Sequence, residues 1–163
     1  MDIFDASLVG DVGRIEELVK SGTSVDSRGG YNMTPLMYAA ARNHQEAAKF
    51  LYENGCNLNL QTMGGDTAVH YAADNGYGEM VQLLADFGAD LEIRAVYGQT
   101  PVNRAAVSGR ADVVRILGNM GANLQTVDDN GRSPKENASK NGNKLVINYQ
   151  YIETLKVLEE LQM

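Results

Sequence analysis

Several residue types and patterns are scarce in this 163-residue chain. Cys56 is its single cysteine, so no internal disulfide can form, which fits a reducing compartment. No apolar run approaches the roughly 18 residues of a membrane span. Basic residues number 14 against 21 acidic ones, and the net charge of −7 would repel a nucleic-acid backbone. The acidic start at Asp2 and Asp5 is unlike a signal peptide. We therefore expect one cytoplasmic or nuclear globular domain that binds neither nucleic acid nor membrane.

Glycine is abundant where proline is scarce, with 17 glycines against 3 prolines, and many of the glycines are periodic. A glycine, a Thr or Ser, a pair of small residues and a leucine each recur at intervals of 33 residues. These columns are Gly22, Gly55, Gly88 and Gly121; Thr34, Thr67, Thr100 and Ser133; Ala39-Ala40, Ala72-Ala73, Ala105-Ala106 and the weaker Ala138-Ser139; and Leu18, Leu51, Leu84 and Leu117. Independent columns that share one period indicate a repeat protein.

The repeated segments carry two recognisable motifs. The first motif reads Thr34-Pro35-Leu36-Met37, Thr67-Ala68-Val69-His70, Thr100-Pro101-Val102-Asn103 and Ser133-Pro134-Lys135-Glu136. The second reads Gly55-Cys56-Asn57, Gly88-Ala89-Asp90 and Gly121-Ala122-Asn123. With its period of 33, this pattern resembles the ankyrin repeat. The resemblance implies an all-α solenoid of stacked helix-turn-helix units with β-turn-like tips, and a module for protein–protein interaction.

The period also predicts the organisation of the chain. We expect an N-terminal capping repeat at 1–28, full repeats at 29–61, 62–94 and 95–127, and a degenerate fourth repeat at 128–163 that merges into a helical cap. Val146, Ile147 and Tyr149 occupy its predicted core columns. The apolar residues of the last helix, Ile152, Leu155, Val157, Leu158 and Leu161, leave two interpretations open. They cover the last repeat as a cap, or residues 144–163 pair with a partner or a second copy.

Individual positions have predictable local roles. Thr or Ser followed by Pro is typical of a helix start, where the hydroxyl caps backbone N–H groups. Glycines at 76, 109 and 142 are predicted to end each first helix, and glycines at 65, 98 and 131 to form the tight turn at each tip. These glycines are therefore not expected to cradle phosphate, and no Walker motif follows them.

Residues that could carry chemistry do not converge in the sequence. His70 occupies the family's histidine position, so the resemblance implies a hydrogen bond between repeats, and His44 is also expected to be structural. Cys56 replaces a small residue of the Gly-Ala-Asp turn and is predicted to be buried. The scattered acids, such as Asp128, are predicted to be solvated. We expect no catalytic residue, cofactor or metal, while the resemblance makes hydroxylation of Asn59 possible.

A partner is expected on the concave surface built from turn tips and the exposed sides of the first helices. In the ankyrin pattern, the residue types before each Thr and after each Ala pair differ from one repeat to another. The residues predicted to bind a partner are Tyr31, Met33, Tyr38, Arg42, Met63, Asp66, Tyr71, Asp74, Val96, Tyr97, Gln99, Arg104, Ser108 and Arg132. Aromatic residues, Met and Arg are enriched in interface cores. The alternative is that the apolar tips pack on one another between repeats.

Charge adds a second hypothesis, because the second full repeat is acidic and the third is basic. A partner could match this polarity with a basic and an acidic element, or the charges only keep the protein soluble. The sequence thus favours a non-enzymatic interaction module that acts as an adaptor, inhibitor or assembly chaperone for an intracellular protein. The alternatives are a self-associating structural protein and the regulatory fragment of a larger enzyme.

Overall fold

The computed structural model describes residues 1–142 and 149–162, and in this part of the chain all regular structure is helical. Ten α-helices form successive hairpin pairs, as the all-α solenoid requires. They are α1 (Ile3–Val9), α2 (Val12–Lys20), α3 (Pro35–Ala41), α4 (Gln45–Glu53), α5 (Ala68–Asn75), α6 (Gly78–Asp86), α7 (Pro101–Val107), α8 (Ala111–Asn119), α9 (Pro134–Gly142) and α10 (Tyr149–Leu161). Short 3-10 turns lie at Gly30–Asn32 and Val96–Gly98.

The helices that follow Thr34 and Ser133 start as the sequence predicts, whereas the Thr100 hydroxyl makes no cap bond and donates to Asn103 Oδ1 at 2.7 Å. Thr34 Oγ1 accepts a hydrogen bond from the backbone N–H of Met37 at 3.3 Å, and Pro35 takes the first helical position. At the fourth unit the Glu136 carboxylate accepts from Ser133 N–H at 2.7 Å, and Ser133 Oγ accepts from Glu136 N–H at 3.3 Å. These reciprocal bonds satisfy N–H groups that have no partner within the helix.

Two rows of helices build the array. The first helices of the units (α1, α3, α5, α7 and α9) pack against one another along one row, and the second helices α2, α4, α6 and α8 pack less closely along the other. The close row is possible because the paired alanines, such as Ala72 and Ala73, are fully buried and have almost no side chain to separate the helices. The array therefore curves with the first helices on its inner side.

Turn tips connect one helix pair to the next, and their backbones are bonded in series. Met63 N–H donates to Tyr31 C=O at 2.9 Å, and Val96 N–H donates to Gly64 C=O at 2.8 Å. The series continues from Asp129 N–H to Tyr97 C=O at 2.9 Å. Each tip is thereby fixed against the next, which sets the register of the repeats.

Long side chains reinforce the same register. Arg28 Nη1 donates to the carbonyl of Gln61 at 3.0 Å, and Gln61 Nε2 donates to the carbonyl of Arg94 at 3.3 Å. Arg94 Nη2 in turn donates to the carbonyl of Val127 at 2.7 Å. Each donor lies 33 residues before its acceptor, so the periodic sequence itself specifies this ladder.

A parallel ladder uses side-chain acceptors. A side-chain oxygen in one unit accepts a hydrogen bond from the backbone N–H that lies 31 residues later. The pairs are Asp26 with Asn57 at 3.0 Å, Asn59 with Asp90 at 2.9 Å, and Glu92 with Asn123 at 2.7 Å. Asn59 is thus an exposed residue with an engaged amide oxygen. Its hydroxylation stays a prediction.

The last helix lies against the end of the array. α10 packs on α8 and α9, where Val157 and Leu158 are fully buried and Leu155 and Leu161 are half-buried. Ion pairs from Arg115 to Glu160 at 3.1 Å and from Lys135 to Glu159 at 3.3 Å flank this contact. The arrangement agrees with the cap interpretation. The predicted core residues Val146 and Ile147, and the side chains of Tyr149 and Ile152, lie outside the described residues, and the boundaries between repeats stay predictions.

His70 links two units from a buried position. Its Nε2–H donates to the carbonyl of Gln99 at 3.0 Å, and its Nδ1 accepts from the N–H of Thr67 at 3.1 Å. The ring is 1% exposed, and this burial is the main cause that lowers the pKa of His70 below its ordinary value. The predicted hydrogen bond from His70 to the next repeat is confirmed. The imidazole makes it in the neutral form, because Nδ1 accepts a bond.

We expect His70 to make stability depend on pH. Because its pKa is lower in the folded than in the unfolded chain, the folded state resists protonation, and the free energy of unfolding should fall as the pH drops below about 6.5. One proton limits this slope to about 1.4 kcal/mol per pH unit. His70→Asn should flatten the dependence, because Asn103 fills the same repeat position and contacts the carbonyl of Arg132. Urea unfolding at pH 7.5 and 5.5 measures both chains, and an equal pH dependence would contradict this account.

Candidate binding face

The residues that could have served chemistry are used for structure. His44 Nε2 donates to the carbonyl of Leu8 at 3.0 Å, which ties the first two helix pairs together. Cys56 is buried as predicted, and burial raises its pKa to about 12, so the thiol stays protonated at neutral pH. No His, Cys, Asp or Glu cluster of metal-binding type occurs among residues 1–142 and 149–162. In the same residues no helix is long and apolar enough to cross a bilayer.

We use the term inner face for the tips at 29–33, 62–66, 95–99 and 128–132 together with the exposed sides of α3, α5, α7 and α9. The predicted partner-binding residues divide into two groups on this face. Five are exposed: Tyr31, Arg42, Met63, Val96 and Tyr97. The others are half-buried: Met33, Tyr38, Asp66, Tyr71, Asp74, Gln99, Arg104, Ser108 and Arg132.

Large apolar side chains stand out from the first three tips. Tyr31 is 79% exposed, Met63 is 76% exposed and Tyr97 is 67% exposed. Val96 is 44% exposed. Tyr31, Met63 and Tyr97 are therefore not buried between neighbouring tips, whereas Met33 is half-buried and packs against the core. Because the tips are hydrogen-bonded in series, the four exposed residues lie on neighbouring tips along one edge of the array, which we call the tip edge.

Two of these residues adopt a costly backbone conformation. Tyr31 has φ 55° and Tyr97 has φ 61°, in the left-handed region that favours glycine and asparagine. Each begins a two-residue turn whose second residue, Asn32 or Gly98, is also left-handed. A bulky residue at such a position costs about 1–2 kcal/mol. The fold alone would favour Asn or Gly here, as in an ordinary tight hairpin turn.

Charges in the middle of the inner face are paired within the chain. Arg104 Nη2 lies 3.0 Å from Asp66 Oδ1, with side chains only 20% and 16% exposed. Asp74 accepts a short hydrogen bond from Ser108 Oγ, and its carbonyl accepts from Arg110 Nε at 2.9 Å. Asp66 and Arg104 therefore neutralise each other across two units. A partner matched to the acidic second and the basic third repeat stays a hypothesis.

Tyr38 and Tyr71 lie on the first helices α3 and α5, between the tips and the core, and we call them the floor of the inner face. Both side chains are partly covered. The ring of Tyr38 lies 5.8 Å from that of Phe4, between centroids. Burial raises the pKa of the Tyr71 hydroxyl, and the nearby Asp66 carboxylate adds to the effect. Both rings thus form half-buried floor beside the exposed tip edge.

A model of the ankyrin repeat family, described as ankyrin repeats in three copies, matches residues 3–95. The match covers more than half of the chain. The chain belongs to the ankyrin repeat family. Ankyrin repeats generally serve as protein–protein interaction modules and are typically non-catalytic.

Individual relatives match a shorter segment. The "Ankyrin repeat, SAM and basic leucine zipper domain-containing protein 1" of Colobus guereza is 45% identical over 56 residues, which is 34% of this chain and 12% of the relative. The protein of the same name from Carollia perspicillata is 44% identical over 54 residues, 33% of this chain and 11% of the relative. The human protein is 43% identical over 56 residues, again 34% and 12%. The match thus spans only about an eighth of these longer proteins.

Sequence reasoning missed two features of the inner face. The contact between Asp66 and Arg104 joins residues that are 38 positions apart, so no repeat column reveals it. The left-handed tyrosines were also missed, although a signal existed: the Gly98 and Asn32 that follow them are residue types that tight left-handed turns favour. The ladder of Arg28, Gln61 and Arg94 could have been found from its period alone.

The pair of Arg104 and Asp66 should stabilise the stack. Arg104→Gln leaves a half-buried carboxylate without its cation, and we expect the free energy of unfolding to fall by about 1–2 kcal/mol, less than for a fully buried pair. Asp66→Asn in the same chain should restore part of the loss. The matched control is Arg115→Gln, whose pair with Glu160 is 43% and 57% exposed and should matter little. Equal effects of Arg104→Gln and Arg115→Gln in urea unfolding would refute this role.

Proposed function

We propose that the chain is a non-enzymatic protein-binding module, acting as an adaptor, inhibitor or assembly chaperone, and that the inner face holds its partner. The observation that carries the proposal is the state of Tyr31 and Tyr97. Both side chains are mostly exposed, and both backbones are left-handed. A residue that costs stability and packs against little has no evident role in the fold itself, so its role lies in recognition.

The surroundings of the two tyrosines support the proposal. Met63 N–H bonds to the carbonyl of Tyr31, so the two side chains rise from adjacent tips. Val96 precedes Tyr97 in the third tip, and the apolar edge thus crosses three units. Tyrosine and methionine are favoured at the centres of interfaces, because they offer large contact areas. Rigid hydrogen-bonded tips would also present these side chains with little loss of backbone freedom on binding.

The proposal also covers the oligomeric state of the chain and its location in the cell. We propose that the chain acts as a monomer, since Val157 and Leu158, which a second copy would need, are buried against its own helices. We also propose a cytoplasmic or nuclear location, on the composition and the single buried cysteine.

Replacement of the tip tyrosines should separate stability from binding. Tyr31→Asn and Tyr97→Asn relieve the left-handed strain, so each should raise the free energy of unfolding by about 1 kcal/mol. The doubly substituted chain should lose the partner that wild type captures from cell extract, because the apolar edge is gone. Urea unfolding and quantitative mass spectrometry of captured proteins measure the two effects.

The control is an exposed tyrosine away from the inner face. Tyr52 on α4 stacks on Phe87 with ring centroids 3.9 Å apart and is 39% exposed. Tyr52→Ala should therefore lower stability by about 1 kcal/mol and leave capture unchanged. Undiminished capture by the doubly substituted tip variant would refute the binding face. A loss of stability on Tyr97→Asn would instead show that the tyrosine serves the fold.

A further inference from the structure

An open cavity of about 280 Å³ lies at the C-terminal end of the inner face. It forms where the third and fourth tips meet the sides of α7 and α9, and we call it the C-terminal pocket. Tyr97, Gln99, Arg132 and Lys140 are among its lining residues. Tyr97 thus belongs both to the tip edge and to this pocket, so a segment bound along the tips would pass over it.

The pocket has free positive charge. Neither the guanidinium of Arg132 nor the ammonium of Lys140 has a hydrogen-bond or ion-pair partner in the described part of the chain. Lys140 is exposed at the end of α9, and Arg132 is half-buried at the base of the fourth tip. In contrast, Arg104 in the middle of the face is held by Asp66. Arg42, exposed just after α3, also lacks an ion pair in the described residues, but at the C-terminal end two such cations line the same pocket.

Asp128, the acid that lines the pocket, does not neutralise these cations by direct contact. Its carboxylate accepts hydrogen bonds from Asn130 N–H at 2.9 Å, Arg132 N–H at 3.0 Å and Asn137 Nδ2 at 3.1 Å. Burial acts to raise the pKa of Asp128, but these bonds, with a smaller contribution from the charge of Arg132, lower it below its ordinary value and use the carboxylate oxygens within the fourth unit. The cationic donors left to a ligand are thus the side chains of Arg132 and Lys140.

This combination points to a carboxylate ligand within a protein segment. A guanidinium and an ammonium beside an aromatic ring fit an acidic side chain with an apolar neighbour. A long polyanion such as nucleic acid is disfavoured, because the chain as a whole carries −7. A short acidic segment needs only local complementarity and gains selectivity from it.

The geometry points to the C-terminal pocket as a subsite for an Asp or Glu side chain of the partner, held by Arg132 and Lys140, while an apolar side chain beside it packs on Tyr97. This inference rests on the proposed function, which it deepens by stating what the partner presents. At this end the partner segment thus places one acidic side chain beside an apolar one, whereas the first two tips take apolar side chains alone.

A random dodecapeptide phage library panned on the full chain tests the subsite. We expect enriched peptides to combine Asp or Glu with aromatic or aliphatic residues. For a synthetic copy of the leading peptide, fluorescence polarisation should show about tenfold weaker binding to the chain with Arg132→Gln and Lys140→Gln. Replacement of the peptide's acid by its amide should weaken binding to wild type similarly and have no further effect on that variant. Lys135→Gln is the control, because this α9 lysine pairs with Glu159 instead.

The outcomes separate this inference from the proposed function. Selection without acidic enrichment, whether other peptides emerge or none do, overturns the carboxylate subsite. If such peptides still lose binding on Tyr31→Asn with Tyr97→Asn, the inner face stands without the subsite. If peptides are indifferent to the tip substitutions as well, the proposed function fails too. An effect of Lys135→Gln as large as that of the pocket substitutions also overturns the subsite, since it would reflect general charge.

Discussion

Hydrogen bonds between successive turn tips are the constraint on which the rest of the structure depends. Each helix pair is too small to bury its own apolar face and is stable only when stacked on the next. The backbone bonds from Met63 to Tyr31, from Val96 to Gly64 and from Asp129 to Tyr97 fix how that stacking occurs. They hold equivalent residues of neighbouring units side by side, so the 33-residue period of the sequence becomes a spatial register.

Because of this register, residues at equivalent positions of successive repeats lie together on one surface of the array. One set of columns supplies the buried alanines that let the first helices approach, and another lies along the tips facing the inner side. Variation in the tip columns changes the surface without disturbing the core, which suits a scaffold for binding. The same register permits contacts between units, such as that of Arg104 with Asp66, which hold floor side chains in place. We therefore propose that recognition falls to exposed residues at the tips and to the cations at the C-terminal end.

The sequence predicted the features that recur in every repeat. It did not predict contacts and turn conformations that occur at a single position. The helix starts at Thr34 and Ser133, the buried Cys56 and the linking role of His70 followed from their columns. The partner of Arg104 did not, because it depends on how far a side chain reaches into the next unit. The prediction of solvated acids is likewise wrong for Asp66, which pairs with Arg104, and for Asp128, which is 4% exposed and hydrogen-bonded within its unit. The left-handed tyrosines depend on the local turn, which a bulky residue would ordinarily avoid.

The most direct test of this account is amide hydrogen exchange at the tips, measured residue by residue. If the tips are bonded in series, the N–H groups of Met63, Val96 and Asp129 should exchange slowly, at rates close to those of the buried helices, although they lie in exposed turns. Exchange of these three amides as fast as that of an unstructured loop would contradict the account, because the register and the face built on it would then lack their support.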